Sequence, residues 1–105
     1  MKILITGGKS AQALKLLKIY ADDKVVLADY GEMPSLATPQ YYFISLGKRN
    51  DDIIAHNLLN HCLDESAEAI FPLHDFEIGE VDKSRVLFEE FGIKVVIPDA
   101  DQVIR

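Results

Sequence analysis

The chain has 105 residues, 49% of them hydrophobic, with four prolines and six glycines; a single globular domain of this size buries roughly 60–70% of its unfolded surface. Seventeen acidic residues against eleven basic ones give a formal charge of −6, which excludes the basic footprint of a nucleic-acid or acidic-membrane partner. Cys62 is the sole cysteine, so an internal disulfide is excluded; with no apolar run near the ~18 residues of a membrane span and no signal-peptide pattern at Met1, a soluble cytoplasmic protein is expected.

Strands and helices alternate along the chain. Ile3, Leu4, Ile5 and Thr6 run straight into Gly7 and Gly8, and Ser10 then opens a helical pattern to Tyr20 with apolar residues at Ala11, Leu14, Leu17 and Ala21. A buried strand that turns through glycine into a helix is how a doubly wound α/β domain begins. Lys24 to Asp29 is a continuous apolar run ending in an acid, as in a strand buried on both faces. Tyr30 to Gln40, with Gly31, Pro34 and Pro39, reads as a loop, and Tyr41 to Ser45 as a third strand. Asn50 is the expected N-cap of the next helix, with Asp51 and Asp52 in its first turn. That helix carries Ile54, Leu58 and Cys62 on one stripe, widened by Ile53, Leu59 and Leu63. Ala69 to Leu73 is a fourth strand with an end made irregular by Pro72. Phe76 to Phe91 reads as a helix weakened near Gly79 and stopped by Gly92, with Leu87, Phe88 and Phe91 facing the sheet. Lys94 to Ile97 is a fifth strand, and Asp99 to Arg105 looks like the start of a further element.

The fold class that follows is α/β: a three-layer, Rossmann-like domain over residues 1–105, with a mostly parallel sheet of about five strands. Crossovers between parallel strands are right-handed in roughly 98% of cases, so the first strand is expected at the centre, the second and third on one side and the fourth and fifth on the other. Ligands of such sheets bind beyond the carboxyl ends of the strands, where the order reverses. Thr6 to Ser10, Asp29 with Tyr30, and Leu73 to Glu77 meet there.

No residue is assigned a catalytic role, and the candidates are all substrate-binding. Gly7 and Gly8 serve a tight turn, close backbone approach to a carboxylate or phosphate, or both. Lys9 points either into the crevice or into solvent. Asp29 occupies the place of the acid that takes ribose hydroxyls in dinucleotide-binding folds, or is a hydrogen-bonded loop acid. His74, Asp75 and Glu77 bring an imidazole and two carboxylates to the switch point, where Asp75 also suits a helix cap. His56 and His61, five apart, have the wrong spacing for a metal on one helical face, and Cys62 reads as core; no metal site is expected. Gly8-Lys9-Ser10 resembles the end of a phosphate-binding loop but lacks its first glycine, since Ile3 stands there. Tyr20 and Lys24 have a dehydrogenase-like spacing at the wrong edge of the sheet.

Taken together, Lys2-Ile-Leu-Ile-Thr-Gly-Gly8, Val25-Val-Leu-Ala-Asp29, Ala69-Ile-Phe-Pro-Leu-His-Asp-Phe-Glu77 and Leu87-Phe-Glu-Glu-Phe-Gly-Ile-Lys-Val-Val-Ile-Pro98 resemble the N-terminal, pre-ATP-grasp domain of ATP-grasp ligases of the carbamoyl-phosphate-synthase large-subunit-like group. The likeness runs over nearly the whole chain. It implies a domain on the substrate side of a cleft, with Gly7, Gly8 and Asp75 to Glu77 matching the loops that face substrate and Asp29 matching the acid after the second strand. In that family ATP-grasp domains bind MgATP and activate a carboxylate or bicarbonate as an acyl phosphate, which an amine attacks. Those ligases continue well past the length of this chain. The resemblance therefore implies no cofactor here, ATP and Mg²⁺ in the full-length protein, and a C-terminal ATP-grasp domain or split subunit as partner. Weak self-association through apolar surface is a further expectation. The competing readings are an NAD(P)-binding domain of short-chain-dehydrogenase type, against which Ser10 stands where a glycine is wanted, and a stand-alone small-molecule-binding or regulatory module.

Overall fold

The first strand, β1 (Lys2–Thr6), has no polar side chain between Ile3 and Ile5, and it lies at the centre of the molecule, fully buried from Ile3 onward. The computed structural model describes residues 1–105. After β1 come α1 (Ala11–Ile19), β2 (Lys24–Asp29), β3 (Tyr41–Ser45), α2 (Ile54–Asp64), β4 (Ala69–Phe71), α3 (Asp75–Lys83), α4 (Arg85–Glu90) and β5 (Lys94–Val95), then a single 3₁₀ turn (Ala100–Gln102). All strand pairs are parallel, in the order β3-β2-β1-β4-β5, the order expected from the sequence.

The pleat divides the core. Leu4, Val26, Ala28, Ile70 and Val95 face Leu58, Leu59 and Cys62 of α2, Val81 of α3 and Phe88 of α4. Ile3, Ile5, Val25, Leu27, Ala69 and Phe71 face Ala13 and Leu16 of α1. Burial on both faces is why each central strand reads as an unbroken apolar run. The result is three layers of Rossmann-like type.

Helix ends and faces depart from expectation at four places. The buried face of α1 is Ala13 and Leu16, with Leu17 half-buried; Ala11 and Leu14 are exposed, Leu14 by 50%, so the buried pair lies two positions beyond the Ala11–Leu14 stripe of the sequence, with Leu17 common to both. Asn50 does not cap α2. Its side chain accepts from the Asp52 N–H in a turn, and the helix starts only at Ile54, which leaves Ile53 exposed. The α3–α4 break falls at Ser84, not Gly79, whose surroundings are open. That break turns α4 so that Phe88 alone is buried, while Leu87 and Phe91 are 40% and 54% exposed.

The 99–105 segment does not begin a helix. Asp99 and Gln102 form a capping box around the 3₁₀ turn, and the chain then returns to the sheet's carboxyl edge. There the Ile104 N–H donates to Leu73 O (2.8 Å) and the Asp75 N–H donates to Ile104 O (2.9 Å). No helix of the structure is long and apolar enough to cross a membrane.

Candidate functional site

Three chain segments meet beyond the carboxyl ends of β1, β2 and β4, and their polar groups bind one another. Glu77 is the centre. It lies in the first turn of α3, and its side chain is fully buried. One carboxylate oxygen accepts from the Thr6 hydroxyl and from the His74 N–H (3.3 Å); the other accepts from the Tyr30 hydroxyl (2.7 Å). The Thr6 oxygen in turn accepts from the Leu73 N–H at 2.8 Å. A single carboxylate thus joins the ends of β1, β2 and β4, and no buried side-chain polar atom is left without a partner. Burial raises the Glu77 pKa; the Thr6 and Tyr30 hydrogen bonds and the nearby imidazole pull the other way without cancelling it. The Tyr30 phenol is pushed far up by its own burial and by the negative field of Glu77.

Asp29 is held in the same inward manner. It accepts from the Tyr30 N–H (2.9 Å) and the Lys9 N–H (3.3 Å), and Oδ1 lies 3.0 Å from His74 Nε2. Burial works to raise its pKa, but these donors prevail and the carboxylate stays below its ordinary range. For His74 burial works downward; the Asp29 hydrogen bond and the fields of Glu77 and Asp29 outweigh it, so its pKa rises above 6.5. The two residues form a partly buried ion pair whenever the ring is protonated.

The glycine turn has its own steric reasons. Gly7 has φ +64°, and a Cβ there would come within 2.4 Å of Ile104 Cδ1 and 3.3 Å of Leu73 Cβ. A Cβ on Gly8 would meet the Leu27–Ala28 backbone at 2.8 Å, and its N–H donates to Ala28 O at 2.9 Å. Ser10 caps α1 by accepting from the Ala13 N–H at 3.2 Å. The Lys9 ammonium folds over the neighbouring loop and donates to Tyr30 O (2.9 Å) and Glu32 O (3.3 Å). Asp75 is exposed at the first position of α3 and takes no part in the network.

Of the residues singled out in the sequence, Gly7, Gly8, Lys9, Asp29, His74 and Glu77 are brought together, and Asp75 stands at the rim. Thr6, Tyr30 and Phe76 lie in the three segments expected at the crevice without being named as binding residues, and Arg49 lies outside those segments; all four build the same region. The Phe76 ring stacks on His74 (5.1 Å between centroids, 21°), Tyr30 packs against both, and the Arg49 guanidinium lies 3.6 Å above the Phe76 ring. Tyr30 follows the acid that ends β2, which is a readable signal; nothing in the sequence ties Arg49 to Phe76.

The class defined by fold and site is a small parallel α/β domain of Rossmann-like type, with a hydrogen-bonded acid–imidazole network at the carboxyl edge of its sheet. No protein-family model and no curated protein matches the chain.

Proposed function

We propose that this chain is the N-terminal, substrate-side domain of an ATP-dependent carboxylate–amine ligase of the carbamoyl-phosphate-synthase-like kind. Its task is to bind and orient a small molecule, not to catalyse alone. MgATP belongs to an ATP-grasp domain or subunit beyond these residues, and no residue above is assigned to it. The observation that carries this reading over a dinucleotide domain is the filled crevice. Ile104 occupies the space above Gly7 where a pyrophosphate would approach, and the Asp29 carboxylate is already engaged by His74, the Tyr30 N–H and the Lys9 N–H. The likeness of the Thr6–Gly8, Asp29 and His74–Glu77 segments to the pre-ATP-grasp pattern supplies the rest.

Two measurements test it. The coding sequence beyond Arg105 should encode an ATP-grasp domain, or a neighbouring gene should; the expressed whole should release ADP only with both a carboxylate and an amine present. ADP release that ignores both co-substrates refutes the ligase. Saturable NADH binding in the micromolar range, followed by fluorescence, refutes it in favour of the dinucleotide reading.

A further inference from the structure

Outside the network just described, one side chain is held as a binding group without any partner for part of it. Arg49, in the loop between β3 and α2, lies with its guanidinium carbon 3.6 Å from the centroid of the Phe76 ring, and Phe76 is itself stacked on His74. Asp51 grips one edge of the guanidinium, taking Nε at 2.6 Å and Nη2 at 3.3 Å. No protein acceptor takes the Nη1 hydrogens. Face and one edge are therefore fixed, and the far edge is left with donors arranged in the planar fork that suits a carboxylate or phosphate.

Arg49 also lines an open cleft of about 560 Å³, together with Lys48, Asn50, Asp51 and Ile53. The chain's ion pairs leave Lys48 without a partner. The cleft is linked to the acid–imidazole network through Arg49, which lies over Phe76, the ring stacked on His74. We infer that this cleft is an oxyanion subsite, in which Arg49 receives a carboxylate or phosphate on its free edge and Lys48 adds a second, mobile cation. The inference does not rest on the ligase reading, because it is drawn from Arg49, its contacts with Phe76 and Asp51, and Lys48 alone.

Charge alone does not do this. Lys48 and Arg49 are balanced by Asp51 and Asp52, so recognition comes from the orientation of the fork and not from long-range attraction. A simple oxyanion should accordingly bind selectively over chloride at constant ionic strength. Phosphate and succinate are the probes, one tetrahedral and one a carboxylate. Nitrogen-15 NMR of the 105-residue chain would follow the Arg49 Nε–H and the amides of Lys48 to Ile53.

The expected result is saturable shifts at these positions for at least one probe, weakened about tenfold in Arg49→Gln and nearly as much in Arg49→Lys, which keeps charge but loses the stacked fork. Saturation by phosphate only assigns a phosphoryl group, and by succinate only a carboxylate. Shifts that grow linearly with any salt, or that survive unchanged in Arg49→Gln, overturn the subsite. Equal binding by Arg49→Lys overturns the role of the stacked fork. Arg49 is half-exposed and outside the core, so the variants should fold, and an unchanged circular-dichroism melt confirms that each comparison is fair.

Discussion

Replacing Glu77 separates two things it supplies, a shape with acceptors and a charge. In Glu77→Ala the Thr6 and Tyr30 hydroxyls and the His74 N–H all lose their acceptor. Leaving a buried donor unsatisfied costs about 1–3 kcal/mol. Thr6 is fully buried and Tyr30 half-buried, so two such losses plus a small void put the total at about 3–5 kcal/mol. At about 4–8 °C per kcal/mol for a domain near this size, the melting temperature should fall by more than ~12 °C. Glu77→Gln has nearly the same shape. Its carbonyl oxygen still accepts from Thr6 and His74, and the Tyr30 oxygen can accept from the new amide by rotating its hydroxyl. Removing a buried, unpaired charge also works in its favour, so Gln should lie within about 1 kcal/mol of the wild type. Denaturant titrations at neutral pH, followed by Tyr fluorescence and circular dichroism, give both values. Equal and large losses in Ala and Gln would mean that the charge holds the site together, and the hydrogen-bond argument would fail. No loss in Ala would show that the three segments do not depend on the carboxylate.

The remaining predictions concern pH, packing and the glycine turn. His74 has a folded pKa raised above 6.5, so its contribution is fully present below pH 6.5 and is lost as pH rises through the folded value. Asp29 is lowered below 3.8, so its contribution is present above pH 3.8 and is lost as pH falls through its folded value. Glu77, raised above 4.5, also makes stability fall as pH rises through its folded pKa. Denaturant midpoints should therefore decline as pH rises above 6.5 through the folded pKa of His74, and a His74→Gln variant should show a visibly shallower decline there; an identical slope would refute the Asp29–His74 coupling. Phe88→Ala should cost about 3–5 kcal/mol and Phe91→Ala no more than about 0.5 kcal/mol, since one is fully buried and the other 54% exposed; comparable midpoints would overturn the α4 orientation. Gly8→Ala should destabilise more than Gly7→Ala despite the left-handed φ of Gly7. The first drives a methyl into the fixed backbone of β2, whereas the second meets the movable end of Ile104 and a φ cost of about 1–2 kcal/mol. Thermal melts of the two variants decide the order.

Much of this architecture was legible because its signals are local. Each central strand is an apolar run bounded by glycine, proline or acid, and the parallel connections leave few sheet orders open. The positions of Gly7, Asp29 and His74 at strand ends are enough to put all three in one crevice. What was missed depends on distant partners. Whether Leu14 or Leu16 faces the sheet is decided by how α1 sits on Ile3 and Leu27, and two adjacent stripes of one helix look alike in sequence. Leu87, Phe88 and Phe91 fit one helical face in sequence, but after the break at Ser84 the short α4 ends at Glu90 and buries only Phe88, leaving Phe91 beyond its last turn. Asn50 satisfied a capping rule but is used in a turn of its own. Thr6 looked like the end of a strand, and only Glu77, 71 residues away, reveals why a hydroxyl is needed there.

That separation has a kinetic side. β1 can pair with β2 as soon as residues 24–29 exist, but the Thr6 hydroxyl has no acceptor until α3 is in place, and Gly7 has no cover until Ile104 arrives. Contacts that close such long loops tend to form late on the folding route. The carboxylate therefore acts less as a nucleus than as a latch on the finished molecule: weakening it should quicken unfolding while leaving refolding nearly untouched. The lifetime of the native state, more than the ease of reaching it, rests on Glu77 and Ile104 closing over the turn that follows β1.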